Sequence, residues 1–153
     1  MVRNKDNEAM IDALEAFETA LATPVPPGEL EPWSQSLWSS TKELDEPLRR
    51  QIDEVHRRDM DEIEEQDLEL SPRLARLRQH DAENLKTFKQ LRTRIRELAE
   101  AASRIEPDEK LVQDERVALV DEGLQFVIAV RRQEVALQTW LMESFDRERG
   151  TGD

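Results

Sequence analysis

The chain has 153 residues, 35 Asp and Glu against 22 Lys and Arg, a formal net charge of -13, and no cysteine. That length suits one domain, residues 1–153, around a single core. The charge repels nucleic-acid backbones and anionic membrane surfaces, and the missing cysteine excludes disulfides, thiolate chemistry and sulfur-held zinc or iron–sulfur centres.

A charged fraction of 37%, no tyrosine and only four glycines favour long solvated helices over strands. Met10, Leu14, Phe17 and Leu21 recur at three- and four-residue steps, so residues 5–22 read as a short amphipathic helix. In the next stretch, TPVPPGELEPW, four prolines and a glycine stand within eleven residues, which reads as a stiff, non-helical connector. With a short helical piece carrying Leu37 and Trp38 it fills residues 23–46. The run DEP at Asp45–Pro47 resembles a cap followed by proline in a first turn, so a long helix is expected to begin or kink at Pro47. Its inward face is marked by Leu48, Ile52, Val55, Ile63 and Leu70.

Ser71 followed by Pro72 is a start signal, with the serine expected to cap a second long helix. The stripe of that helix runs Leu74, Leu77, Asp81, Asn84, Phe88, Leu91, Ile95, Leu98, Ala102 and Ile105, with two polar members. The run EPDE at Glu106–Glu109 opens a third, reaching towards Arg149. Short loops between long helices make neighbours antiparallel. The expected fold is therefore an all-α, up-and-down antiparallel bundle: three long helices over residues 47–149 plus the short N-terminal one.

Distances counted from the two hairpins bring polar residues of different helices to one level. His56 and Asp59, His80, Asp81 and Asn84, and Arg131 and Glu134 are expected to form a polar layer in the core. Its structural form holds Arg131 between Asp59 and Asp81, while its functional form is a ligand or metal site built from His56, Asp59, His80, Asp81 and Glu134. A layer of this kind costs desolvation but fixes helix register.

The segments HRRDM, His56–Met60, and LRQHDAEN, Leu77–Asn84, resemble the hemerythrin-like (HHE) cation-binding bundles, and the likeness spans residues 48–145. The resemblance implies a four-helix fold with a diiron centre held by about five imidazoles. His56 and His80 match ligand positions, whereas Met60 replaces a bridging glutamate and Asn84 stands where another histidine can occur. The last helix offers VRRQEV and the first EAMIDALEAFETAL, neither with histidine, so the resemblance carries the fold without the oxygen-binding chemistry. No cofactor is expected beyond a single weakly held divalent ion.

The run MDEIEEQDLE, Met60–Glu69, lacks the glycine and ligand period of a calcium loop and reads as a solvated face. No phosphate loop or nucleophile elbow occurs, which favours a non-catalytic interaction or structural module over an enzyme. The leader MVRNKDNEAM has no apolar signal core and the longest apolar run is FVIAV, Phe126–Val130, so a soluble cytoplasmic protein is expected. On the last helix, Val117, Val120, Leu124, Val127 and Leu141 read as the buried stripe. Leu119, Phe126, Val130, Leu137 and Trp140 form a second, which is a candidate interaction surface. Its expected cover is either the apolar connector of the same chain or a protein partner, most simply a homodimer.

Overall fold

The computed structural model of the chain describes residues 5–151, with the side chains of all but Asp6 and residues 147–151. Helix α1 spans Lys5–Ala22, α2 Leu30–Arg50, α3 Arg57–Gln66, α4 Ser71–Ala102 and α5 Glu109–Thr151. Between α2 and α3 the helix runs on through a π-helical segment, Gln51–His56, and a 3₁₀ turn at Leu68–Leu70 leads into α4. No strand occurs among the described residues. Four helical rods pack side by side, α1 on α2, α2 on α4, and α4 on α5, with α1 closing the ring against α5.

Three helix ends differ from expectation. The connector is shorter, because α2 already begins at Leu30 and holds Pro32 in its first turn, where an amide has no intrahelical acceptor and proline loses nothing. Gly28, at φ 81, makes the left-handed turn before it. Pro47 does not start or end a helix: it sits inside α2, and the π-helical segment follows within one turn. Ser71 does not cap α4; its hydroxyl meets Glu64 Oε1 at 3.3 Å instead. The capping in that corner belongs to Asp67, whose carboxylate accepts from the amide of Glu69. At the start of α5, Asp108 accepts from the amide of Leu111 at 3.2 Å, so the start signal at EPDE acts through the aspartate.

The apolar interior is in two parts. In the larger, Met10, Leu14, Phe17 and Leu21 of α1 meet Leu37, Leu44 and Leu48 of α2. Phe88, Leu91 and Ile95 of α4 and Leu119, Phe126 and Val130 of α5 complete it. Phe126 is its centre, edge-on to Phe17 at 6.3 Å and stacked on Phe88 at 5.7 Å. The smaller core joins Met60, Ile63, Leu70, Leu74, Leu77 and Leu137, with Trp140 and Leu141 against it, and contains nothing from α1. The bundle is thus four helices thick at one end and three at the other.

The inward face of α5 is rotated from the one expected. Leu119, Phe126, Val130 and Leu137 are buried and Trp140 is half-buried, so this stripe is core and not an interaction surface. Of the stripe expected to be buried, Val127 is buried, Val120, Leu124 and Leu141 are partly buried against the cores, and only Val117, 60% exposed, faces out. Long-range packing decides between the faces, with Phe126 enclosed by Phe17 and Phe88. At Gly123 a Cβ would lie 2.7 Å from Leu21 Cδ1, so the missing side chain lets α1 lie close against α5. The cover is intramolecular: α1 and α4 enclose Phe126, while Trp33 and Leu37 of α2 join the same core and Val25, Leu30 and Trp38 pack against it. No helix among the described residues is long and apolar enough to cross a membrane.

Candidate functional site

A polar layer does separate the two cores, at the level where α1 ends. The π-helical segment supplies Gln51 and His56, α4 supplies Asp81, and α5 supplies Gln133 and Glu134. Asp81 occupies the α4 stripe one turn past Leu77, so the three-four period that buries leucines also buries this carboxylate. On the π-helical segment Gln51, Ile52, Val55 and His56 all turn inward, which gives the layer two polar groups from one turn and a half.

His56 is the hub. Its Nδ1 lies 3.0 Å from both oxygens of Asp81, and its Nε2 bonds Glu134 Oε1. Carboxylates only accept, so both ring nitrogens donate and the ring is an imidazolium held between two anions. Burial alone would push the His56 pKa down, but the hydrogen bonds it donates to Asp81 and Glu134 and their negative charges outweigh it and raise it to about 9. Amides close the network: Gln51 Nε2 donates to Glu134 Oε2 at 3.1 Å and to Asn7 Oδ1, and Gln133 Nε2 donates to Asp81 Oδ1 at 3.0 Å and to the Leu77 carbonyl at 2.6 Å. Gln51 Oε1 is buried without a donor, an uncompensated acceptor that an apolar layer would not contain.

Of the seven residues expected in the layer, His56, Asp81 and Glu134 meet. Asn84 is buried one turn along the same stripe but has no hydrogen bond to the network. Asp59 is half-buried at the edge, 3.7 Å from Arg58; burial pushes its carboxyl up, and the charges of Arg58 and His56 pull the other way. His80, adjacent in sequence to Asp81, turns about 100° away and is exposed. Arg131 is not in the layer: it is exposed and forks onto Glu18 of α1 at 2.7 and 2.9 Å. Its hydrogen bond to Glu18 holds that carboxyl below the usual range and raises the guanidinium. The cause is the rotated face of α5: with Leu119, Phe126, Val130 and Leu137 inward, Arg131 lies about 120° around the helix from them.

Gln51, Gln133 and Asn7 were not anticipated, although all three are polar members of apolar stripes. Asn7 precedes Met10, Leu14, Phe17 and Leu21 at the same step, and Gln133 stands between Val130 and Leu137. Gln51 stands between Leu48 and Val55 on the stripe that begins at Leu44, at the same three- and four-residue steps.

Chemically the layer is closed. Where a hydrolase places a nucleophile on the free nitrogen of an acid-oriented histidine, Nε2 of His56 meets a second carboxylate. The two nitrogens point to opposite sides of the ring, so Asp81 and Glu134 do not converge with the imidazole on one point. Among the described residues no group of three or more His, Asp or Glu side chains is arranged to hold a metal ion. The diiron set implied by the hemerythrin-like resemblance does not fit here: His56 is sealed between carboxylates and His80 is on the outside. A cleft of about 230 Å³ between α3 and α4, lined by Arg57, Met60, Arg78 and Leu85, reaches Asp81 from outside. No family model, curated protein or solved structure matches the chain.

Proposed function

We propose that this chain is a non-catalytic helical bundle that serves as an interaction or structural module in the cytoplasm, engaging a protein partner or a second copy of itself. One observation carries the reading. Val117, Ile128, Val135 and Met142 are 60%, 47%, 63% and 55% exposed. Steps of eleven and seven residues set them within about 20° of one line along α5, roughly 37 Å long. Solvent-facing apolar side chains scattered singly are ordinary, but a row aligned over this length is the pattern of a helix seam. The closed layer suits a structural role, since a buried charged network fixes which helix faces which at a cost in stability.

A photo-activatable cross-linking residue placed at Val135 in the native host should give a discrete protein adduct. Ile128→Glu should abolish it, and the same residue at exposed Glu97 of α4 should give none. Absence of any adduct at Val135 would refute the reading. The alternative is a hemerythrin-like bundle with a degenerate site, supported by His56 at a matching position on the second helix. Metal analysis of protein purified without a histidine tag separates the two: a stoichiometric divalent ion favours the alternative.

A further inference from the structure

Eight of the 22 Lys and Arg residues lie on α4, which carries only four of the 35 Asp and Glu. Some cations of the bundle meet acids one by one: Arg78 meets Asp61 and Glu64, Arg94 meets Glu115 and Glu122, and Arg131 meets Glu18. Facing α2 the cations stand in a group. Lys86, Lys89, Arg92 and Arg96 follow one another at steps of three, three and four residues down one side of α4, with Arg49 opposite on α2. Asp45 is shared by Arg49 at 3.1 Å and Arg92 at 3.3 Å. Lys86, Lys89 and Arg96 have no ion pair among the described residues. Like charges at this spacing repel along a helix and lower its stability. In a chain with 13 more acids than bases, the row is not the outcome of composition.

These side chains, with the carboxylates of Asp45 and Asp53 among them, surround an open cleft of about 560 Å³ whose floor includes Leu85 and Phe88, within the size range of small-molecule sites; five cations outnumber the two acids. The row from Lys86 to Arg96 is about 15 Å long. Beyond it α4 turns acidic at Glu97 and Glu100, and the α3 rim carries Asp61 and Glu64. A long polyanion or an anionic membrane would run from the cations onto repelling surface, whereas a compact anion would not. A singly charged anion gains too little from exposed cations to be held, so the ligand must engage several at once. Phosphate offers paired acceptor oxygens to guanidinium and a dense charge to ammonium. We propose that the α2–α4 cleft binds a small soluble molecule carrying two or more linked phosphate groups.

Isothermal titration calorimetry of the full chain with tripolyphosphate at low ionic strength tests this. One saturable site is expected, weakening steeply with added salt. Amide NMR shifts should be confined to residues 45–57 and 85–96. Lys89→Glu should lower affinity at least tenfold, and Lys89→Gln, the gentler change, should lower it in the same direction with unaltered circular dichroism. Arg76→Glu makes the same charge change on the far side of α4 and should leave affinity within about twofold, consistent with screened charges at a distance. No saturable binding, or equal losses in Lys89→Glu and Arg76→Glu, would overturn the proposal.

Discussion

His56 is the cation that Asp81 and Glu134 share, and its removal has a definite cost. In His56→Leu two carboxylates, Asp81 and Glu134, are left facing one another across the core without their shared cation. Breaking a buried charge network by one member costs about 3–5 kcal/mol, whereas replacing all its members by apolar side chains is often neutral. Urea unfolding should therefore find His56→Leu much less stable than His56→Leu/Asp81→Leu/Glu134→Leu. The pH dependence has a fixed sign. The folded-state pKa of His56, about 9, lies above the ordinary 6.5, so the contribution is complete below pH 6.5 and is lost as pH rises through 9. Unfolding free energy should fall by about 3 kcal/mol between roughly pH 6 and pH 10. In the triple leucine variant that fall should be absent, which unfolding curves across the range would reveal.

At the scale of elements, the helices were legible where one stripe stood alone. Met10, Leu14, Phe17 and Leu21 fix α1, and the run from Leu74 to Ala102 fixes α4, because each has a single apolar face. Helix α5 was not legible in the same way. It is apolar over more than half its circumference, so periodicity allowed two inward faces and nothing local chose between them. Packing at a distance chose, through the contact of Phe126 with Phe88 and with Phe17, about a hundred positions earlier in sequence. The placement of Arg131, and with it half of the expected layer, depended on that choice. Proline misled for a related reason: Pro32 and Pro47 are both helical, the first because an opening turn has amides to spare and the second because tertiary packing overrides propensity. Gly123→Ala gains about 1 kcal/mol of helix propensity and must push aside only the end of the Leu21 side chain, so a near-neutral effect is expected. Gly123→Val, with more bulk in the same contact, should cost about 1–3 kcal/mol as α1 is forced off α5, and thermal melts of the pair check the ranking.

Across the whole molecule, the bundle changes from four helices to three at the level of His56. There α1 gives out, the rod from α2 to α3 passes through its π-helical segment, and the apolar interior divides. Deleting residues 1–22 removes the α1 side of the larger core and uncovers Phe126, Val130 and Leu119. The shortened chain should bind hydrophobic dyes and aggregate, while retaining most of its helical circular dichroism. The layer between the cores was half legible: Asp81 and Glu134 followed from stripe and level, as did His56, but its amide partners did not. Nitrogen-15 NMR of the His56 ring tests most directly whether that layer is a closed network around a buried cation. Both Nδ1 and Nε2 are expected to be protonated at pH 7.5 and to remain so until the pH approaches 9. A neutral ring at pH 7.5, with one nitrogen bare, would contradict it.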